Sequence, residues 1–346
     1  MRFRPFVVAL VLCSVGTLYG LLFFAQNYYG AVRPVGRVIL PSYGRFIRGE
    51  VFTLDNWIGG VGNNIFEVIS FLGIASKLKR NPVIAYGAMK HLKQEHGYFL
   101  HLPGQFRTPE QVPKFTEKDV NFPHDCCRYA DPMIPFAAFE ADPIVKSPIT
   151  YVQSFKYFSD LGRDTIRYLL EVDDDLRSFS RSSLVNPSGI PNETYNICVH
   201  TRRGDFTKST IHMESNEFFT IYATEYLLNK NTKVIFAGDD KAWIRGLFHD
   251  RNTYYIMGEN VRGNYTPVAE WEFSRQYCDT VLLTAPASTF GWWIAYLSRG
   301  YKIYYSTVFQ KEKGGFGGTF AGNDFWPAEW NPLTLNGNTI NEVKQP

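Results

Sequence analysis

The chain has 346 residues, enough for one large domain or two medium ones, each with its own hydrophobic core. Its composition, 45% hydrophobic and 20% charged without a low-complexity tract, is typical of a globular protein. The formal net charge of +3 is too small to indicate a nucleic-acid-binding surface, so any anion-binding site has to be local.

The N-terminal residues predict a membrane anchor. The stretch 5–25, PFVVALVLCSVGTLYGLLFFA, carries no charge and has the ~20 residues that a helix needs to cross a bilayer. Arg2 and Arg4 precede it and no comparable basic cluster directly follows, so residues 1–4 are predicted to stay cytoplasmic and the bulk of the chain to be lumenal. A cleaved signal peptide is the alternative, although its apolar region is usually only about 7–15 residues long.

Sequons and cysteines agree with a lumenal location. Asn192 and Asn264 begin N-glycosylation sequons. An oxidising lumen permits disulfides, but the spacing of the cysteines does not decide their connectivity and is not a zinc pattern. Cys198 is predicted to be a small buried residue rather than a reactive thiol. The cysteines beyond the apolar stretch are Cys126, Cys127, Cys198 and Cys278.

Residues 26–50, with prolines and glycines, predict a short stem. The glycine-rich turn GGVGNN then opens a helix with apolar residues at helical spacing, and a strand is predicted at 83–86, as in the opening of a βαβ unit. Residues 90–150 show no pattern that assigns their structure. A single helix is predicted within 164–182, and the linker NPSGIPNETYN after it divides the chain into domains at 51–190 and 191–346.

The second half alternates short apolar strands with helical patterns, which predicts a parallel sheet covered on both faces. Right-handed crossovers then place the carboxyl ends of all the strands at one edge. The helical patterns are NEFFTIYATEYLLN, KAWIRGLFH, PVAEWEFSRQYC and STFGWWIAYLSRG. The predicted strands are 195–200, 233–237, 253–257, 280–284 and 302–305.

Polar residues follow these strands at that edge, where open α/β sheets bind their ligands. Arginine forks match phosphate oxygens, and a hydroxyl at a helix N-terminus adds donors, so the edge predicts a diphosphate site. The aspartates suit ribose hydroxyls or base N–H groups. The alternative to a diphosphate site is a solvated arginine loop and an ordinary serine helix cap. The convergence of several polar loops on one edge favours the binding site. The residues are Arg202, Arg203, Asp239, Asp240, Ser288 and Thr289.

Four blocks of the sequence also resemble the α-1,2-fucosyltransferases of glycosyltransferase family 11. HTRRGDF is similar to that family's H-x-R-R-G-D-Y/F motif, VIFAGDDKAW to its second motif, and STFGWW to its S-[ST]-F-[SG]-W-W signature. GGVGNNIF resembles its N-terminal G-G-x-G-N-Q-x-F block. Departures are Asn64 in place of Gln, Gly238 in place of Ser and Thr201 in place of Val; none removes a charged contact.

The resemblance implies a GT-B-like α/β fold, with two Rossmann-type domains facing a cleft behind a single transmembrane helix. It implies inverting, metal-independent transfer of L-fucose from GDP-fucose to the 2-hydroxyl of a terminal β-galactose, by a single-pass type II protein of the Golgi membrane. Arg202 matches the diphosphate-binding arginine, with Arg203 as its support. The other implied donor-binding residues are His200, Asp239, Asp240, Ser288, Thr289, Phe290, Gly60, Gly62 and Asn63.

Several points stay open at the level of sequence. The candidates for the base that accepts the proton of the acceptor hydroxyl are Asp205, Glu214 and Glu67. The acceptor-binding residues lie in the stretch without a readable pattern, and the sequence does not give the oligomeric state. The alternatives to an α-1,2-fucosyltransferase are a catalytically inactive lumenal carbohydrate-binding member of the fold, a GDP-sugar transferase with another acceptor, and an enzyme that uses another nucleotide sugar.

Overall fold

The computed structural model describes residues 50–53, 59–112, 116–122, 125–147, 151–183, 194–229, 231–248, 254–259, 261 and 266–345. These residues belong to one compact unit, Tyr43–Pro346. The predicted cytoplasmic tail, the membrane span, nearly all of the stem and both sequon asparagines lie outside the described residues. No helix in the described part is long and apolar enough to cross a membrane.

A four-stranded parallel sheet is formed by the first half of the described chain. Helix α1 (Val61–Lys77) connects its first two strands, so the βαβ opening predicted from the glycine-rich turn is confirmed. The second strand lies two residues earlier than predicted, because the chain turns at Ala85 and Tyr86 begins helix α2 (Tyr86–Glu95). The strands are β1 (Glu50–Thr53), β2 (Asn81–Ile84), β3 (Glu117–Asp119) and β4 (Ile144–Lys146). Their order across the sheet is β2-β1-β4-β3.

The segment predicted as one helix at 164–182 is two helices, so that prediction was wrong. After the short helix α3 (Met133–Phe136), helix α4 spans Arg163–Leu169 and α5 spans Asp174–Ser183. Between the last two, Val172 forms a β-bridge with Phe99, and the Asp173 carboxylate accepts a hydrogen bond from the Leu176 amide at 2.8 Å. An aspartate that caps a new helix competes with continuation of the old one.

A seven-stranded sheet is formed by the second half. Strands β5 to β9 pair in parallel, which confirms the predicted parallel sheet with its carboxyl ends at one edge. Beyond β9, the sheet continues with an antiparallel hairpin formed by β10 and β11, which the sequence analysis did not predict. The spatial order is β11-β10-β9-β8-β5-β6-β7. The strands are β5 (Tyr195–Thr201), β6 (Thr232–Gly238), β7 (Tyr254–Ile256), β8 (Thr280–Leu283), β9 (Lys302–Ser306), β10 (Asn331–Asn336) and β11 (Thr339–Glu342).

Helices follow the strands as the periodicity predicted. Helix α9 (Thr289–Leu297) is largely buried, and its Trp292 and Trp293 side chains are both fully covered. Both tryptophans pack against Phe66 of α1, with ring centroids 4.5 and 5.2 Å apart, and so join the two halves of the unit. The predicted helices are α6 (Glu217–Leu227), α7 (Lys241–Leu247), α8 (Val268–Tyr277) and α9 (Thr289–Leu297); the short helix α10 (Gly322–Phe325) was not predicted.

Disulfides join the cysteines of the described chain in two pairs. Cys198 in β5 is buried, as predicted, and is bonded to Cys278, which follows helix α8 and precedes β8 by two residues. Cys126 is bonded to its neighbour Cys127. The first pair ties β5 to the segment that leads into β8, its neighbour in the seven-stranded sheet.

Candidate active site

A cavity of about 990 Å³ opens at the carboxyl ends of β5 and β6. Its volume lies at the upper end of the ~300–1,000 Å³ range of small-molecule sites. Residues from both halves of the unit line it: the α1 N-terminus from the first half and the loops after β5, β6 and β8 from the second. The structure therefore brings together most of the residues that the sequence analysis selected. Those that line the cavity are His200, Arg202, Asp205, Asp239, Ser288, Thr289, Phe290, Gly60, Gly62 and Asn63.

Arg202 is the cationic centre of this edge. Its Nε lies 2.8 Å from an Asp205 carboxylate oxygen and 3.3 Å from an Asp239 carboxylate oxygen. Its backbone N–H donates to the Ser215 hydroxyl at 2.9 Å, which fixes the chain just after β5. Within the described chain no group accepts a hydrogen bond from Nη1 or Nη2 of Arg202. The two carboxylates therefore orient the guanidinium and leave its outer nitrogens available for an anion.

Arg203 plays a different part from its neighbour. Its guanidinium lies over the Trp243 ring, 4.5 Å from the centroid, and donates to the Ser215 carbonyl at 3.1 Å. Asp240, 3.5 Å from its Nε, also caps helix α7 by accepting from the Trp243 amide at 3.0 Å. Neither Arg203 nor Asp240 is among the residues that line the cavity. Both hold the loops in place, and Asp239 is the carboxylate of the pair that reaches the cavity.

His200 presents a neutral imidazole to the cavity. It is only 1% exposed, and its Nδ1 has no hydrogen-bond partner among the described residues. Burial, with a smaller contribution from the positive charge of Arg202, lowers the pKa of His200 to about 3. A Cβ on Gly291 would lie 2.3 Å from Nδ1, so the glycine of the STFGWW block makes room for this ring.

Two helix N-termini meet at the cavity. Gly62, in the first turn of α1, packs so closely on α9 that a Cβ there would lie 2.6 Å from the Phe290 amide nitrogen. The Thr289 hydroxyl donates to the Asn63 side-chain oxygen at 2.6 Å and links the two helices. The α1 N-terminus has no side-chain cap, and α9 has only a 3.4 Å contact from the Gly291 amide to the Ser288 hydroxyl. The amides of both first turns therefore favour a bound anion.

The three base candidates lie in different environments. Asp205 lines the cavity; burial raises the pKa of its carboxyl, but the hydrogen bond and positive charge of Arg202 outweigh this and lower it. Glu214 forms an ion pair with Lys311 away from the cavity lining, and its pKa is also lowered, because the lysine outweighs burial. Glu67 is buried outside the cavity lining, and its carboxylate accepts from the Tyr151 amide at 2.9 Å. Burial outweighs that bond and raises the pKa of Glu67 to about 7.

Several cavity residues were missed by the sequence analysis. Lys241 and Glu270 place one cation and one carboxylate on the lining. Lys241 directly follows the two aspartates, so its position could have been inferred. The others lie in regions without a motif, and only the folded chain brings them to the cavity: Cys126, Cys127, Tyr151, Gln153, His212 and Phe316.

Comparison with known proteins identifies similar sequences over most of the chain. The sequence model described as glycosyl transferase family 11 matches residues 144–330, more than half of the chain. A Caenorhabditis elegans protein named galactoside 2-alpha-L-fucosyltransferase is 30% identical over 331 residues, which cover 86% of this chain and 80% of that protein. A second one of the same name and organism is 29% identical over 296 residues, covering 81% of this chain and 78% of that protein.

Solved structures give a more distant likeness. A crystal structure of NodZ alpha-1,6-fucosyltransferase co-crystallized with GDP has a TM-score of 0.46 and 13% sequence identity. The alignment covers 86% of this chain and 99% of that chain.

Proposed function

Because the chain belongs to glycosyl transferase family 11 and is therefore a glycosyltransferase, we propose that it transfers L-fucose from GDP-fucose to the 2-hydroxyl of a terminal β-galactose. Two relatives at about 30% identity carry the name galactoside 2-alpha-L-fucosyltransferase. The observation in the structure that best supports the proposal is Arg202, which lines the cavity with its outer nitrogens available beside two helix N-termini. A nucleoside diphosphate is the leaving group that this arrangement suits.

The diphosphate would be held by Arg202, the Ser288 and Thr289 hydroxyls and the amides of the two first turns. These donors are fixed before the reaction, so they stabilise the charge that develops on GDP as the bond to the sugar breaks. We propose that they take the place of a metal ion. The neutral His200 adds a hydrogen-bonding group without adding a charge.

Transfer would proceed with inversion at the anomeric carbon. The acceptor hydroxyl attacks from the face opposite the diphosphate, and its proton passes to a carboxylate or to water. Of the three base candidates, Asp205 is the one that lines the cavity, and we propose it for this role. Its contact with Arg202 also couples the base to the donor phosphates.

We further propose that the protein is a type II membrane protein of the Golgi with its catalytic part in the lumen. The uncharged stretch 5–25 supports an anchor. The disulfide between Cys198 and Cys278 supports an oxidising compartment. The test is protease protection in intact microsomes: the catalytic part should be protected, and digestion without detergent would contradict the proposal.

The donor and the product are tested on the purified full-length chain in detergent. A ligand that binds only the folded state stabilises it, so GDP should raise the melting temperature. UDP and ADP should raise it less if the site is specific for GDP. Incubation with GDP-fucose and lactose should then give an α-1,2-linked product. Selective stabilisation by UDP would overturn the donor assignment. Fucose on another hydroxyl or another sugar would overturn the acceptor, and GDP binding without transfer to any glycan would favour an inactive carbohydrate-binding protein.

A further inference from the structure

One part of the cavity lining differs in chemistry from the phosphate side. It carries no charged side chain and consists of Cys126, Cys127, Tyr151, Gln153 and Phe316; we call these residues the neutral wall. We propose that the neutral wall is the subsite for the terminal sugar ring of the acceptor, an inference that rests on the proposed function. The Cys126–Cys127 pair and Phe316 would supply the apolar surface, and Gln153 would bind a sugar hydroxyl.

The neutral wall is a connected structure rather than a chance grouping of side chains. The Cys127 amide donates to the Thr319 carbonyl at 3.3 Å, and the Cys127 carbonyl accepts from the Ala321 amide at 3.2 Å. The Gln153 amide donates to the Cys126 carbonyl at 2.9 Å. Three segments distant in sequence are therefore held together around the bonded cysteines.

Gln153 indicates that this wall binds a polar ligand. Its side chain lines the cavity and is only 4% exposed, and its Nε2 has no hydrogen-bond partner among the described residues. Leaving a buried amide donor unsatisfied costs free energy, so such groups are rare unless a ligand or water completes them. A sugar hydroxyl is a suitable acceptor for this donor.

Tyr151 lies beside this amide in a costly backbone conformation. Its φ of 54° is in the left-handed region, which residues other than glycine seldom adopt. Its N–H donates to Glu67 and its carbonyl accepts from the Gln153 amide at 2.8 Å, so buried contacts hold it there. Such strain persists only where surrounding contacts enforce it, and it is concentrated at ligand-binding sites. Here it places the tyrosine side chain on the lining.

The chemistry of the neutral wall matches a sugar ring and not a phosphate. A pyranose has an apolar C–H face and a rim of hydroxyls. The polarizable sulfur pair and the Phe316 ring suit the face, and the Gln153 amide and Tyr151 hydroxyl suit the rim. Because the wall has no cation, it does not compete with Arg202 for the diphosphate.

Three variants test the neutral wall: Gln153→Leu, Phe316→Leu and the double variant Cys126→Ser/Cys127→Ser. Phe218→Leu is the matched control, because Phe218 is 61% exposed on α6 and does not line the cavity. We expect the KM for lactose to rise about tenfold in Gln153→Leu, as for a lost ligand hydrogen bond. The shift in melting temperature produced by GDP should stay as in the unmodified chain. Unchanged KM values for lactose in all three variants, or an equal loss of GDP binding, would overturn the inference.

If the proposed function is wrong, the unmodified chain does not fucosylate lactose. This outcome is distinct from a failure of the neutral-wall inference. In that case the inference is tested by calorimetric titration of lactose into the GDP-saturated protein. Binding that is weakened in the Gln153→Leu variant but not in Phe218→Leu supports the neutral wall. Binding that is equal in all proteins, or absent from the unmodified chain, overturns it.

Discussion

Arg202 and Arg203 are adjacent in sequence, but only Arg202 keeps outer nitrogens available on the cavity lining. Arg202→Ala should therefore reduce kcat/KM at least about a hundredfold, equivalent to about 2.7 kcal/mol of transition-state stabilisation. The melting temperature should change little, because the side chain is partly exposed and its partners remain solvated. Arg245→Ala is the control, since this arginine forms a comparable surface pair with Glu259. A near-normal rate in Arg202→Ala would contradict the phosphate role.

Glu67 makes protein stability depend on pH. Its pKa is raised to about 7 in the folded state, above the usual 4.5 of a glutamate, because burial disfavours the charged carboxylate. The stability contributed by the protonated group is thus complete below pH 4.5 and is lost as the pH rises to about 7. Glu67→Gln keeps a neutral side chain and an acceptor for the Tyr151 amide.

We therefore expect the free energy of unfolding of Glu67→Gln to rise relative to that of the unmodified chain between pH 4.5 and 7. The gain should reach on the order of 3 kcal/mol and stay constant above this range. Denaturant unfolding from pH 5 to 8 measures it. Glu225→Gln, on the exposed side of α6, is the control and should show a constant difference. Parallel curves for Glu67→Gln would show that its carboxyl is ionised throughout.

At the scale of elements, helix α9 is fixed at both ends. Its N-terminus contacts α1 through Gly62, and Trp293 donates to the Gly62 carbonyl at 3.1 Å. At its C-terminal end, the Arg163 guanidinium donates to the Tyr296 and Ser298 carbonyls at 2.8 and 2.7 Å. A cation at this end satisfies the last carbonyls of the helix and complements its dipole. The turn that we propose to bind the diphosphate is thus held by contacts at both ends of one buried helix.

Gly62→Ala should separate α1 from α9, since its Cβ would lie 2.6 Å from a backbone nitrogen. We expect a lower melting temperature and a larger loss of kcat/KM than Gly246→Ala produces. Gly246 is also a helical glycine, but nothing lies within 4 Å of a Cβ there, so alanine should stabilise that helix by up to about 1 kcal/mol. Thermal unfolding and steady-state kinetics of both variants measure the difference; equal behaviour would show that the close contact does not matter.

At the scale of the whole molecule, the site lies where the two halves of the unit meet. The second half supplies Arg202 and the α9 N-terminus, and the first half supplies the α1 N-terminus and much of the neutral wall. The proposed donor and acceptor sides of the cavity therefore both depend on the packing of Phe66 against the α9 tryptophans. Changes in this core should affect both KM values together, unlike changes in the neutral wall.

Chelation tests the proposal that the reaction does not require a metal ion. If arginine and helix N-termini stabilise the departing GDP, activity should be unchanged after EDTA treatment and dialysis. Fucosyl transfer to lactose is measured before and after treatment, with added Mn²⁺ as the control. Loss of activity on chelation that Mn²⁺ restores would contradict this proposal and indicate a metal-dependent reaction.

The sequence alone determined the parallel part of the second sheet and its charged edge. Buried parallel strands are short apolar runs, and their carboxyl ends are marked by local motifs, so β5, β6 and β8 and their polar loops were predicted within one or two residues. The Asn336-Gly337 turn carries a local hairpin signal for β10 and β11, which were not predicted, and Gly337 has a φ of 60° there. The break between α4 and α5 was missed because a tertiary bridge at Val172 overrode helical periodicity.

Only the tertiary structure decided which of the motif residues reach the cavity and what lines its other side. Arg202 and Arg203, like Asp239 and Asp240, are adjacent and chemically identical, and their different partners in the fold separate them. The neutral wall joins residues near 126, 151 and 316, whose contacts span up to about 190 positions of the chain. Sequence patterns report local periodicity and turn chemistry, whereas a wall of this kind depends on long-range packing, which no local pattern encodes.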